Sequence, residues 1–142
     1  MPDASGRSET LTDEQFARIL EFRIALRRFG RFSEEQAARL QMTAAQHQLL
    51  LAIRGHDDPR GPTIADVARA LLVRHHSAVG LIDRTQDLGL LERRRDADDQ
   101  RVVRLALTPL GRTRVNALAE AHLKELRRLA ESLSALIDVS DP

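Results

Sequence analysis

Apolar residues recur along this chain at the period of a helix, then briefly at that of a strand, then again at that of a helix. Between Asp13 and Phe29, the residues Ile19, Phe22, Leu26 and Phe29 follow at steps of three and four, and Phe16, Leu20 and Ile24 form a second stripe. Such spacing predicts a helix buried on two sides. Four pairs have capping-box spacing ahead of apolar runs: Thr12 with Gln15, Ser33 with Gln36, Thr43 with Gln46 and Thr63 with Asp66. In such a pair the hydroxyl accepts from a backbone N–H three residues on, and the second side chain reaches back. Helices are therefore expected from Asp13, from Ser33, over Thr43 to His56 and over Ile64 to Leu72. A further one spans Arg74 to Leu88 and is stopped by Gly89. Thr108 and Pro109 read as the N-cap and first-turn proline of a sixth.

That last helix, about Pro109 to Ile137, carries Val115, Leu118, His122, Leu126, Leu129, Leu133 and Leu136 on one seam. At roughly 43 Å it overshoots a small globule, so the seam needs a partner. The partner is either the first helix of the same chain or the matching helices of a second chain. Between these long helices the period falls to two. Leu91 to Asp96 and Val102 to Leu107 are strand-like and are joined by the polar segment Ala97 to Gln100, which makes a hairpin. Two short helices followed by a hairpin form a winged helix-turn-helix, whose second helix can enter the major groove of DNA. Val67, Leu71, Ala78 and Leu81 should face its core. Ala68 is small where the two helices approach, and Leu72 stands where many such motifs carry glycine. The fold expected is mainly α with a small β-hairpin wing, flanked by long N- and C-terminal dimerisation helices. Its parts are a disordered tail at 1–10, dimerisation helices at 11–42, the DNA-binding lobe at 43–108 and a dimerisation helix at 109–142. Asp57 to Pro62 is the only linker-like stretch.

Composition narrows the chemistry. With 142 residues, 42% of them hydrophobic and 30% charged, one core is expected, and no apolar run approaches the roughly 18 residues of a membrane span. The polar N-terminus lacks the apolar stretch of a secretory signal, so a cytoplasmic protein without membrane association is expected. The absence of cysteine excludes disulfides, thiolate metal sites, a cysteine nucleophile and a thiol switch. There is no glycine-rich phosphate loop and no nucleophile elbow, so no enzymatic activity is expected. His75 and His76 diverge on a helix, and His47, His56 and His122 lack ligand partners nearby in sequence, so no metal or other cofactor is expected. His122 interrupts the apolar seam and reads as a hydrogen-bonded interface histidine, of a kind that can titrate near neutrality. Net charge is only +1, but Lys124 is the sole lysine, and arginine's planar fork suits phosphate and guanine.

From Thr43 to Gly111 the chain resembles the MarR family of bacterial transcription regulators. The resemblance rests on MTAAQHQLLLAIR, TIADVARALL, VGLIDRTQDLGLLERRRDADDQR and LALTPLG. Within them lie Asp83-Arg84, Gly89 before Leu90-Leu91-Glu92-Arg93, the wing-tip Asp99-x-Arg101, and Leu107-Thr108 with Gly111. Thr85 departs from the family's usual leucine, and Gln100 from its frequent basic residue.

The resemblance implies a homodimer on double-stranded DNA, with recognition helices in successive major grooves and wings in the flanking minor grooves. The residues agree. Arg74, His75, His76 and Ser77 cluster where an inserted helix meets base edges, and Arg84 lies farther along. Arg101, at the end of a polar tip, is placed to enter a minor groove, with Asp99 to orient it. Arg93, Arg94 and Arg95 must alternate between faces of a strand, and Glu92, Asp96, Asp98 and Asp99 are near enough to pair with them. From Arg74 to Arg104 seven arginines meet six acids, so affinity should depend on placement rather than bulk charge. The resemblance further implies a small aromatic or amphipathic effector between the dimerisation helices and the lobe. Phe22, Leu26, His47 and Leu51 are candidate lining residues, each of which would also serve as ordinary core. The function expected is a sequence-specific regulator, a repressor on an inverted-repeat operator that the effector releases. The alternative is a winged-helix architectural or protein-interaction module, which has no need of the Arg74–Ser77 cluster or of Asp99 and Arg101.

Overall fold

The computed structural model describes residues 10–140, and the expected tail at 1–10 lies, apart from Thr10, outside them. The elements are α1 (Asp13–Arg39), α2 (Ala44–Arg54), α3 (Ile64–Leu71), α4 (His75–Asp87), β1 (Leu91–Arg95), β2 (Val103–Leu107) and α5 (Pro109–Ser140). Three of the four capping boxes open helices as expected. Thr12, Thr43 and Thr63 each accept from the N–H three residues on at 3.1 Å, and Gln15, Gln46 and Asp66 reach back to the threonine N–H. The fourth does not. Ser33 lies inside α1, which runs unbroken through Gly30, so five helices stand among the described residues where six were expected. Restarting at Ser33 would sacrifice backbone hydrogen bonds, whereas carrying Gly30 in a helix costs only about 1 kcal/mol.

Three helices end alike. In α1, α3 and α4 the N–H of Met42, Val73 and Leu90 reaches the carbonyl five residues back, while Gln41, Leu72 and Gly89 bond three residues back. The last three residues take φ of 59°, 55° and 73°. This is a Schellman end, and only α4 closes it with the glycine that the geometry favours.

Contacts divide the chain into two compact units. Residues 32–123 form the larger, with a core of Leu49, Leu50, Val67, Ile82, Leu90, Leu91, Leu105 and Leu118. Each such side chain contributes about 1.5–3 kcal/mol of burial. Val67 and Ala78 are fully buried, Leu81 and Ala68 nearly so, and Leu71 packs at the edge. Thr85, in the place of a leucine, is buried as well because its hydroxyl donates to the Leu81 carbonyl at 2.7 Å. His122 is buried by its own chain. Its Nδ1 lies 2.5 Å from the Leu118 carbonyl, which requires the proton on that nitrogen, and its ring meets His47 and Phe32 at centroid distances of 5.0 and 5.2 Å. Burial, and secondarily the charge of His122, push the pKa of His47 down.

The hairpin pairs Leu91 with Leu107 and Arg95 with Val103. The segment read as a linker is its third edge: Thr63 bridges Arg104, and the Leu105 N–H donates to the Pro62 carbonyl at 2.9 Å. Gly61, at φ 89°, is required there, since a Cβ would stand 2.2 Å from the Leu105 oxygen. Arg104 ties the edge down. Its Nε donates to Asp96 at 2.9 Å, its Nη1 donates to the Gly61 carbonyl at 3.1 Å and lies 3.6 Å from Asp58. Arg60 joins by pairing with Asp58 at 2.8 Å and lying 3.5 Å from Asp96. The Asp98 N–H and then the Arg104 guanidinium hold the Asp96 carboxyl below its ordinary 3.8, and the Arg60 side chain holds that of Asp58 well below it.

The described residues of 1–31 and 124–142 form the second unit. Within it Ala25 and Phe29 of α1 and Leu129 and Ser132 of α5 line a cavity of about 300 Å³. Phe16 and Leu20 on α1, and Leu126, Leu133 and Ile137 on α5, are 42–60% exposed.

Arg104→Met should destabilise the lobe by about 2–3 kcal/mol in urea unfolding, because Asp96 loses its nearest cation while Arg60 remains. Depressed carboxyl pKa values place the stabilisation from Asp58 and Asp96 above about pH 4, with loss as the pH falls through the folded values. Stability measured from pH 5 to 2 should therefore drop less steeply in Arg104→Met than in the parent.

Candidate nucleic-acid interface

Between α3 and α4 only Leu72, Val73 and Arg74 intervene, so the left-handed Leu72 sets the angle at which α4 leaves the lobe. The α4 helix buries Ala78, Leu81, Ile82 and Thr85 and turns its other face to solvent. Its N-cap, Arg74, is extended at φ −72° and ψ 154° and makes no side-chain cap bond. The positive end of the helix is thus open, and Arg74, His75, His76 and Ser77 around it are all exposed. At about 100° per residue, His76, Ser77, Gly80 and Arg84 share one face, and His75 falls to the side beside Val79. Gly80, which the sequence reading passed over, leaves room on that face: a Cβ there would lie 3.3 Å from the Arg84 guanidinium. The guanidinium groups of Arg74 and Arg84 have no hydrogen-bond or ion-pair partner among the described residues.

Two aspartates build the wing tip. Asp96 accepts from the N–H groups of Asp98 and Asp99 at 2.8 and 3.3 Å, closing the turn. Asp99 accepts from the Arg101 N–H at 3.0 Å and from its Nε and Nη2 at 3.1 and 3.2 Å. The Arg101 side chain, 92% exposed, therefore projects with its direction fixed, and it is the first cause of the lowered pKa of Asp99. The Arg93–Arg95 run is engaged within the chain. Arg93 reaches Asp83 and Gln86 on α4, Arg94 pairs with Glu92, and Arg95 donates to the Gln100 carbonyl. An open helix end with four hydrogen-bonding side chains and a braced arginine on a hairpin can together contact phosphates and base edges.

The four candidate ligand-lining residues lie in different surroundings. Phe22 is half-buried and Leu26 is 36% exposed on α1. On α2, His47 packs against His122, whereas Leu51 opens onto a groove with Gln48, Ala52, Ala70 and Leu71. Among the described residues no group of three metal-ligating side chains occurs, and no helix is long and apolar enough to cross a membrane.

Residues 40–102 match the model of the MarR family. Solved structures share the fold. Wild-type MarR from E. coli, in its apo form, is 20% identical with a TM-score of 0.68, over 94% of this chain and 99% of that one. BpsR of Bordetella bronchiseptica, solved in a study of how 6-hydroxynicotinic acid regulates its DNA binding, is 24% identical with a TM-score of 0.63, over 94% and 98%. S. aureus MepR in complex with DNA is 21% identical with a TM-score of 0.61, over 89% and 85%. No curated protein matches. The winged helix-turn-helix read from the pattern is thus the fold of this chain, and the family it matches consists of DNA-binding transcription regulators rather than enzymes.

Leu72 supplies a test of the turn. Its side chain is 92% exposed, so little packing is lost on truncation, and a left-handed L-residue costs about 1–2 kcal/mol. After glycine's greater freedom in the unfolded chain is subtracted, Leu72→Gly should raise stability by about 0.5–1 kcal/mol in denaturant melts.

Proposed function

We propose that this chain, a MarR-family protein by its match over residues 40–102, is a homodimeric repressor that reads an inverted-repeat operator and is released by a small-molecule effector. The observation that carries the reading is the open N-terminus of α4, ringed by Arg74, His75, His76 and Ser77 on the lobe that also bears the Asp99-braced Arg101. A mutant MarR from E. coli has been solved in complex with operator DNA, and MepR in complex with DNA, which supports DNA as the partner here. A dimer seated on an operator that overlaps a promoter would block it, which is the sense in which the protein is a repressor here. Regulation of DNA binding in BpsR by 6-hydroxynicotinic acid supports an effector for this chain also. The apolar residues left open on α1 and α5 support the dimer.

The two groups of DNA contacts differ in what they read. His76→Ala or Ser77→Ala should cost about 1–3 kcal/mol on the operator and relax preference at particular base pairs. Arg101→Ala should weaken binding to operator and shuffled DNA alike and lower the salt slope by about one unit. Asp99→Ala should do the same more mildly, since the charge remains and only its aim is lost. Isotherms at several salt concentrations separate these outcomes, and an unchanged salt slope for Arg101→Ala removes the wing from the mechanism. Equal affinity for operator and shuffled DNA in the parent would favour the architectural reading.

Light scattering tests the assembly. The parent should run at twice its 15.9 kDa, and Leu126→Glu with Leu133→Glu should run as a folded monomer, because both side chains are already exposed within one chain. A parent mass of one chain across the micromolar range overturns the dimer.

A further inference from the structure

Away from the α4 face, the larger unit contains a concavity of about 230 Å³ walled by the end of α2, the segment before α3, the hairpin and the first turn of α5. Arg54, Arg60, Arg94 and Arg112 line it, with Ile53 and Leu105 among its apolar wall. Asp58 is the only carboxylate in that lining, and it already serves Arg60 and lies by Arg104. Glu92 pairs with Arg94. The guanidinium groups of Arg54 and Arg112 have no hydrogen-bond or ion-pair partner among the described residues. Arg60 and Arg94 are already paired with carboxylates, so the charge left open in this walled space is that of Arg54 and Arg112, and arginine binds carboxylate and phosphate through two parallel bonds.

We propose that this concavity binds a small organic anion, one phosphate or carboxylate on a compact apolar body, with Arg54 and Arg112 taking the charged group. The space is smaller than the roughly 300–1,000 Å³ of drug-sized sites, so the ligand is compact, and Pro59 and Ala106, apolar lining residues that keep exposed surface, favour a body that is not purely polar. Duplex DNA is the poorer occupant. Arg93 reaches across to α4, so Arg94, the next residue along β1, turns to the opposite face of the hairpin, and the concavity lies on that face. A duplex engaged by α4 meets the other side.

The test is calorimetric titration of the full chain without DNA, so that its outcome does not depend on the regulatory reading. Phenyl phosphate is the probe, with inorganic phosphate and phenol as the charge-only and apolar-only controls. Phenyl phosphate should saturate one site per chain, inorganic phosphate should bind more weakly, and phenol should not bind. Arg54→Gln with Arg112→Gln should weaken the probe at least tenfold, each single variant several-fold, with melting temperatures unchanged because both side chains are exposed. No saturation by about 10 mM, binding unaltered in the double variant, or phenol binding as well as its phosphate each overturns the proposal. So does a double variant whose DNA salt slope falls by about two units, which would make these arginines duplex contacts.

Discussion

The Arg104 guanidinium joins stretches of chain that lie far apart in sequence. Through Asp96 it fixes the start of the wing turn, through the Gly61 carbonyl the segment leading into α3, and alongside Asp58 the turn that begins that segment. A planar fork with several fixed donors can serve carboxylate and carbonyl at once, which an ammonium on a flexible stem does poorly. The clamp's reach extends in both directions. Pro62, anchored to Leu105, is followed by Thr63, the cap of α3; Asp96 organises the turn from which Asp99 aims Arg101. The placement of the helix-turn-helix and the direction of the wing arginine thus rest on one buried, charge-paired junction.

The helix ends impose a second constraint. Gln41 and Leu72 occupy left-handed backbone without being glycine, and each does so where the chain must turn at once into the next helix. Such conformations persist only when the surroundings determine them. After α3 that determination comes from Ala68 and Arg69, whose carbonyls receive the Val73 and Leu72 N–H groups. After α1, Arg114 on α5 donates to the Leu40 carbonyl, satisfying a helix-end group from the far side of the core.

Local chemistry explains what could be read from the sequence. Thr43 with Gln46 and Thr63 with Asp66 act over three residues, Gly89 at one, and the alternation of Val103, Leu105 and Leu107 over five, so the helices and strands of the winged lobe were legible. The bond from Asp99 to Arg101 was legible for the same reason. Ser33 with Gln36 misled because a local cap signal competes with a helix already propagating, and only the surroundings of α1 decide that contest. What remained hidden was long in sequence and short in space. Asp58 and Arg104, His47 and His122, and Arg54 and Arg112 are brought together by packing that no local period encodes. The role of Gly80 was hidden in a different way, since it lies in an atom that is missing.

The pairing within the hairpin bears on how a charged partner would meet the lobe. Arg93, Arg94 and Arg101 each hold a carboxylate of the same lobe, so from a distance the wing offers a passing duplex little field. Arg101, braced by Asp99, would therefore add to binding through a contact made at close range rather than through a pull felt from afar. If the lobe meets DNA as proposed, a duplex would be drawn in weakly from a distance and held by the contacts made on arrival.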